Sequence, residues 1–126
     1  MTSLEADRDA NVHIEAFVRD VHKHIFSAHI HSWGATKLYR EGCTWLAVPS
    51  GHPHFQVGSF GTWEDPAWNA ENHVTHREIV FPHPYETPPK VIIWLNHLQF
   101  SFEYNERIMV LATDVTRGGF TAHINP

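Results

Sequence analysis

The sequence predicts an all-β fold, an antiparallel β-sandwich with about six strands per unit. Three observations lead there. Several segments alternate apolar and polar residues with period two, the mark of half-buried strands. Seven glycines and eight prolines cut the chain at short intervals, most densely across residues 49–66 and 81–89, where a helix cannot run. The stretches between these breaks are rich in Val, Ile, Thr, Phe, Trp and Tyr, which suit a pleated surface.

In chain order, residues 3–10 carry the only helical flavour, and they lack an apolar face. Val12, Ile14, Ala16 and Val18 alternate with His13, Glu15, Phe17 and Arg19, which predicts a strand. Phe26, Ala28 and Ile30 alternate with Ser27, His29 and His31 and predict a second. Thr44–Val48 is expected as a further short strand. The uninterrupted apolar run Val91–Leu95 is expected as a strand covered on both faces. Pro88 and Pro89 hold the chain extended as it enters that run. Arg117-Gly118-Gly119 is a hairpin turn signal, and Phe120, Ala122 and Ile124 alternate beyond it.

Composition sets the outer bounds. The 126 residues make one domain's worth of chain, and 42% hydrophobic content supplies a core. A formal net charge of -5 argues against a nucleic-acid partner. No apolar run approaches the ~20 residues of a membrane span, so no membrane insertion is expected. The polar start MTSLEADRDA does not read as a signal peptide, so a cytoplasmic location, or release without a signal peptide, is expected. A single cysteine, Cys43, excludes an internal disulfide and a Cys-rich zinc site, and reads as a small packed residue.

The chain repeats itself. Shifted by 94 positions, residues 11–32 align without a gap on residues 105–126, and 8 of 22 pairs are identical. They are Asn11/Asn105, Ile14/Ile108, Asp20/Asp114, Val21/Val115, Phe26/Phe120, Ala28/Ala122, His29/His123 and Ile30/Ile124. Average composition would give about one or two. A period of that size is a domain, not a solenoid unit. The expected organisation is therefore an N-terminal arm at 1–10, the C-terminal strands of a first copy at 11–48, a linker at 49–54, and the N-terminal strands of a second copy at 55–126. In such a frame two strands occur twice and some lack neighbours, which predicts strand exchange between chains or tight oligomerisation.

The segment from Phe55 to Ile124 resembles the body of an H-type lectin domain, the group of the snail agglutinin and the discoidin C-terminal domain. The residues that carry the likeness are Ile79-Val80-Phe81, Pro84-Tyr85, Pro88-Pro89, the apolar run that follows, Arg107-Ile108 with Val110, Val115, and Gly119-Phe120. Residues 26–48 resemble the end of the same domain. The resemblance implies a β-sandwich assembled as a trimer or hexamer, strand-swapped or not. It also implies a non-enzymatic lectin without cofactor that binds glycans of the galactose or N-acetylgalactosamine type between protomers. Carried over residue by residue, the sugar-binding set is Arg107, Trp33 and Tyr39, with Glu71, Asn69 and Asn72 near the family's acidic loop position. Two positions depart from the pattern. Gly34 stands where the family has a His, and Ala70 where an ungapped count places the acid. The alternative reading is a structural or assembly module on the same fold with no sugar affinity.

Twelve histidines are the remaining anomaly. His22/His24, His29/His31 and His52/His54 have the spacing that puts two rings on one face of a strand. A metal-dependent jelly-roll enzyme would also need a carboxylate soon after the pair, and the next one after His31 is Glu41. No metal site is expected. His29 and His123 are expected to face outward, where protonation below about pH 6 would loosen a symmetric assembly.

Overall fold

The computed structural model describes residues 3–7, 9–64, 75–103 and 107–125. Its described residues form eight strands and one short 3-10 helix, with all strands antiparallel in three sheets. The chain divides into two compact units, Met1–Leu46 with Trp94–Glu106, and Ala47–Ile93 with Arg107–Pro126.

The first unit holds two sheets. Strands β1 (Ser3–Ala6) and β4 (Leu38–Gly42) make a two-stranded ribbon. Strands β2 (Val12–Arg19), β3 (Ser27–Ser32) and β6 (His97–Phe100) make a sheet in the order β3-β2-β6. The period-two pattern of β2 works as expected: Val12 and Ile14 are buried, while His13, Glu15 and Phe17 take the opposite, half-buried face.

The second unit holds the 3-10 turn Thr62–Glu64 and a sheet of β5 (Thr75–Val80), β8 (Gly119–Asn125) and β7 (Met109–Thr113), in the order β5-β8-β7. Ala122 and Thr75 are its buried centre. Phe81 meets Tyr85 edge-on at 5.2 Å and tilts against Phe120 at 5.7 Å, so Phe81 and Tyr85 pack in this unit.

The two aligned segments fold into the same hairpin. Ile14 faces Ser32 and Arg19 faces Ser27 in the first, and Met109 faces Asn125 and Thr113 faces Thr121 in the second, one register displaced by 94 positions. The turns agree as well. Asp20 and Asp114 have φ of 50° and 51°, the only positive values outside glycine among the described residues. The His22 amide donates to the Ile25 carbonyl at 2.8 Å, and the aligned Thr116 amide donates to the Gly119 carbonyl at 2.8 Å. An aspartate tolerates the left-handed region better than most residues, which is why it can sit at both corners.

Four local expectations need correction. Residues Ser3–Ala6 form a strand rather than helix, because β4 offers them a partner. Thr44–Val48 forms no strand: the described pairing with β1 ends at Gly42, opposite Ser3, and the strand is Leu38–Gly42 instead. Val91–Leu95 is not a ladder strand either, and Ile92 and Trp94 are exposed. Pairing with β2 spans only His97–Phe100, with one further bond from the Ala16 amide to the Asn96 carbonyl at 2.7 Å. Cys43, just past the end of β4, is exposed rather than packed.

Candidate functional site

The best-defined polar and aromatic cluster lies in the first unit, where β3 ends. Directly opposed residues of an antiparallel sheet share a face. On that rule His31, Glu15 and His97 form a row straight across β3, β2 and β6. His13 opposite Gln99 and Phe17 opposite His29 flank the row on the same face. Phe17 anchors it, stacked on His29 at 5.1 Å and edge-on to His31 at 4.6 Å. Arg19 adds a cation over the Phe17 ring at 4.9 Å.

Trp33 leaves β3 at the margin of this face. Its indole stacks on His13 at 5.4 Å with an interplanar angle of 18°, and tilts against His97 at 5.4 Å. His13 Nδ1 also lies 3.3 Å from the Trp33 carbonyl oxygen. The chain then turns back through Gly34, at φ 67°. Thr36 fixes the turn to the start of β2: its Oγ1 accepts from the His13 amide at 2.9 Å and donates to the Asn11 carbonyl at 3.0 Å. Trp33 remains 39% exposed, so part of the indole is open to a ligand.

Gly34 has a physical reason to be glycine. A Cβ there would come within 2.9 Å of His13 Nδ1, and the positive φ disfavours any side chain. The ring of His13 thus occupies the space beside Trp33 that a side chain at position 34 would enter.

Tyr39 is on β4, in the other sheet of the unit. Its hydroxyl donates to Asp7 Oδ2 at 3.3 Å, and Lys37 Nζ contacts the same oxygen at 3.3 Å. The Asp9 amide, donating to Asp7 Oδ1 at 3.0 Å, is the main reason that Asp7 titrates below the ordinary carboxylate value, with Lys37 next. Tyr39 therefore belongs to an Asp7–Lys37 group, whereas the ring partners of Trp33 are His13 and His97.

Arg107 belongs to the second unit, exposed, two residues before β7. Glu71, Asn69 and Asn72 lie outside the described residues. An acidic group of this unit with a described ion pair is Glu64. It pairs with Arg77, which holds its carboxyl below the ordinary value, and it also accepts from the Gly61 amide at 3.1 Å. No group of three or more His, Cys, Asp or Glu among the described residues is arranged to hold a metal ion. His29 is half-buried rather than outward, and its Nε2 is buried without a partner. The aligned His123 is also half-buried, with Nε2 2.8 Å from Thr113 Oγ1.

The family's sequence model, described as the H-type lectin domain, matches residues 1–48 and 76–126, well over half of the chain. The chain belongs to the H-type lectin domain family. The match comes in two parts, as the split resemblance implied. No curated protein and no solved structure matches. Trp33 and Tyr39 fall in the first matched part of this H-type lectin domain and Arg107 in the second, while Asn69, Glu71 and Asn72 fall between the two.

Sequence reasoning missed His13 and His97 as neighbours of Trp33. His13 carried a signal, since it aligns with Arg107 in the repeat. His97 carried none, because only the pairing of β6 with β2, some eighty positions away, brings it there.

Proposed function

We propose that this H-type lectin domain is a non-enzymatic lectin for galactose or N-acetylgalactosamine, acting through several weak sites on one homo-oligomer. The observation that carries the reading is Trp33, a half-open indole flanked by two imidazoles, within a matched part of the family. An aromatic face takes the apolar side of a sugar ring, and imidazole nitrogens bond its hydroxyls. In this reading Trp33 and His97 of one protomer meet Arg107, Asn69, Glu71 and Asn72 of another. Arg107 donates to an acetamide oxygen, and Glu71, Asn69 or Asn72 accepts from vicinal hydroxyls. Linking weak sites in an assembly raises avidity without new contacts.

One observation favours a second reading, an assembly module without sugar affinity. His13 stacks on Trp33 and fills the space beside Gly34, so part of the indole is engaged by the protein itself.

Calorimetric titration with N-acetylgalactosamine at about pH 7.5, where imidazole is mostly neutral, separates the two. Saturable heat, lost in Trp33→Ala and in Arg107→Ala, supports the lectin. No heat up to roughly 50 mM sugar, beyond the weakest affinities that multivalency rescues, refutes it in favour of the assembly module.

A further inference from the structure

In the second unit, β8 has β5 on one side and β7 on the other. One face of this sheet buries Thr75 and Ala122, and the other exposes His76, Glu78 and Val80. His76 on β5 stands directly opposite His123 on β8, so their side chains share the exposed face. The ring centroids are 6.4 Å apart and the planes are tilted by 35°. The two residues are distant in the chain, so no H-x-H spacing marks the pair.

The tautomer of His123 follows from its neighbours at the end of β7. Thr113 Oγ1 donates to Asp114 Oδ2 at 2.8 Å. A hydroxyl has one proton to give, so the same oxygen accepts from His123 Nε2–H at 2.8 Å. The lone pair of the neutral ring is then on Nδ1. The two nitrogens lie on nearly opposite sides of an imidazole, so Nε2 held toward β7 turns Nδ1 to the β5 side, where His76 stands. A ring whose far N–H is tied to an oxygen, itself bonded to a carboxylate, has the support that a metal-bound histidine needs.

Distance and charge agree with this. Metal–nitrogen bonds of about 2.1 Å put two imidazoles that share an ion roughly 5–6.5 Å apart by centroid. The pair is at the upper end of that range, and His76 is exposed, with room to turn inward. Glu78 shares the face two residues along, whereas Arg77 is on the other face and paired with Glu64. Strands β7 and β8 carry no Lys or Arg. Two other histidine pairs are less open to an ion. His29 and His31 both pack on Phe17, with His29 Nε2 buried, and His52 Nδ1 already accepts from the His54 amide at 3.3 Å.

We propose that His76 and His123 form a two-imidazole site for a divalent transition ion of the nickel, copper and zinc group, with Nδ1 of His123 as one ligand atom and Thr113 as the residue that positions it. Such ions favour imidazole nitrogen. Among the described residues no third His, Cys, Asp or Glu is arranged with the pair, so water completes the coordination. The ion ties β5 to β8, and the site does not depend on sugar binding.

Calorimetric titration with Ni2+ at about pH 7.5, where imidazole is mostly neutral, reads the site. The full chain carries Cys43→Ser, which removes the exposed thiol as a rival ligand. The tightest class is expected to hold one ion per chain. His76→Ala and His123→Ala are each expected to weaken it by roughly tenfold or more, since the second contact is intramolecular. The double variant should lose no more, because a chelate is lost once. Thr113→Val is expected to weaken it by about 10–100-fold, and His52→Ala to leave it unchanged. Thermal melts give a second reading. An ion stabilises the fold that binds it, so Ni2+ should raise the midpoint of the parent and not that of His76→Ala, a change at an exposed position. No binding up to roughly 1 mM Ni2+, additive losses from the two histidine variants, unchanged binding in Thr113→Val, or a tightest site that follows His52 would each overturn the assignment.

Discussion

Replacing Gly34 by alanine tests how the Trp33 corner is built. Two costs follow from the geometry. The residue sits at φ 67°, and forcing an L side chain into the left-handed region costs about 1–2 kcal/mol. Its Cβ also meets His13 Nδ1 at 2.9 Å and Cε1 at 3.2 Å, so the imidazole must move. Moving it gives up the stack on Trp33, which is worth about 0.5–1.5 kcal/mol. The single variant is therefore expected to lose about 1.5–3.5 kcal/mol, the sum of those two terms. His13→Ala alone forfeits the stack and the Nδ1 contact with the Trp33 carbonyl, without backbone strain. In the double variant the collision is gone and the stack is lost once, so the combined loss should fall short of the sum by about 1 kcal/mol. Urea unfolding of the four proteins measures this, each with its own slope to check two-state behaviour. Strict additivity would show that His13 does not press on Gly34 and would refute the account of why glycine stands there. The cycle isolates the collision, because the two proteins that carry Gly34→Ala share the same backbone strain.

Ile14→Ala removes a fully buried side chain and is expected to cost about 2–5 kcal/mol, well above the cost of Ile108→Ala at the aligned, open position; equal losses in denaturant melts would contradict the two burials. Asp7 and Glu64 both titrate below their ordinary values of 3.8 and 4.5. Since the folded values are the lower ones, their stabilisation is complete above those ordinary values and fades as pH falls through the folded ones. Thermal melts from pH 6 down to about pH 2 should thus show a shallower acid loss in Asp7→Asn than in the wild type; an unchanged acid limb would mean that the Asp7 contacts do not persist in solution. Cys43 is free and exposed, so the native chain should take up one equivalent of a thiol reagent without denaturant, and reaction only after unfolding would contradict the exposure.

The fold class was legible because period two is a local signal. Val12–Arg19 and Gly119–Asn125 alternate clearly and are strands within a residue or two of expectation. The turn before Gly119–Asn125 was legible from Gly118-Gly119, whereas the left-handed corners at Asp20 and Asp114 were not. What was not legible depended on partners. Val91–Leu95 has strong strand propensity, yet β2 pairs only from residue 97 onward, and propensity without a ladder does not make a strand. Ser3–Ala6 is the converse, a short segment of weak signal that becomes a strand because β4 lies beside it. At the site, Trp33 was legible through the family pattern, whereas His97 was not, because its place beside Trp33 comes from a pairing between distant parts of the chain.

The same dependence on neighbours explains the histidines. His29 and His123 are aligned residues on equivalent strands, and alternation gives them the same face. Their surroundings nevertheless differ in what the partner strand supplies. Opposite His29 stands Phe17, which stacks on the ring and leaves Nε2 without a partner. Opposite His123 stands Leu111, and two residues along β7 is Thr113, whose hydroxyl meets Nε2 at 2.8 Å. The position aligned with Thr113 in the first hairpin is Arg19, and its guanidinium lies over Phe17 instead. Two changes between the hairpins, leucine for phenylalanine opposite the ring and threonine for arginine at the strand end, accompany the change from an orphaned ring nitrogen to a bonded one. Shared backbone geometry thus does not bring shared chemistry: the Trp33 corner uses the ring of His13, and the aligned residue of the second hairpin is Arg107.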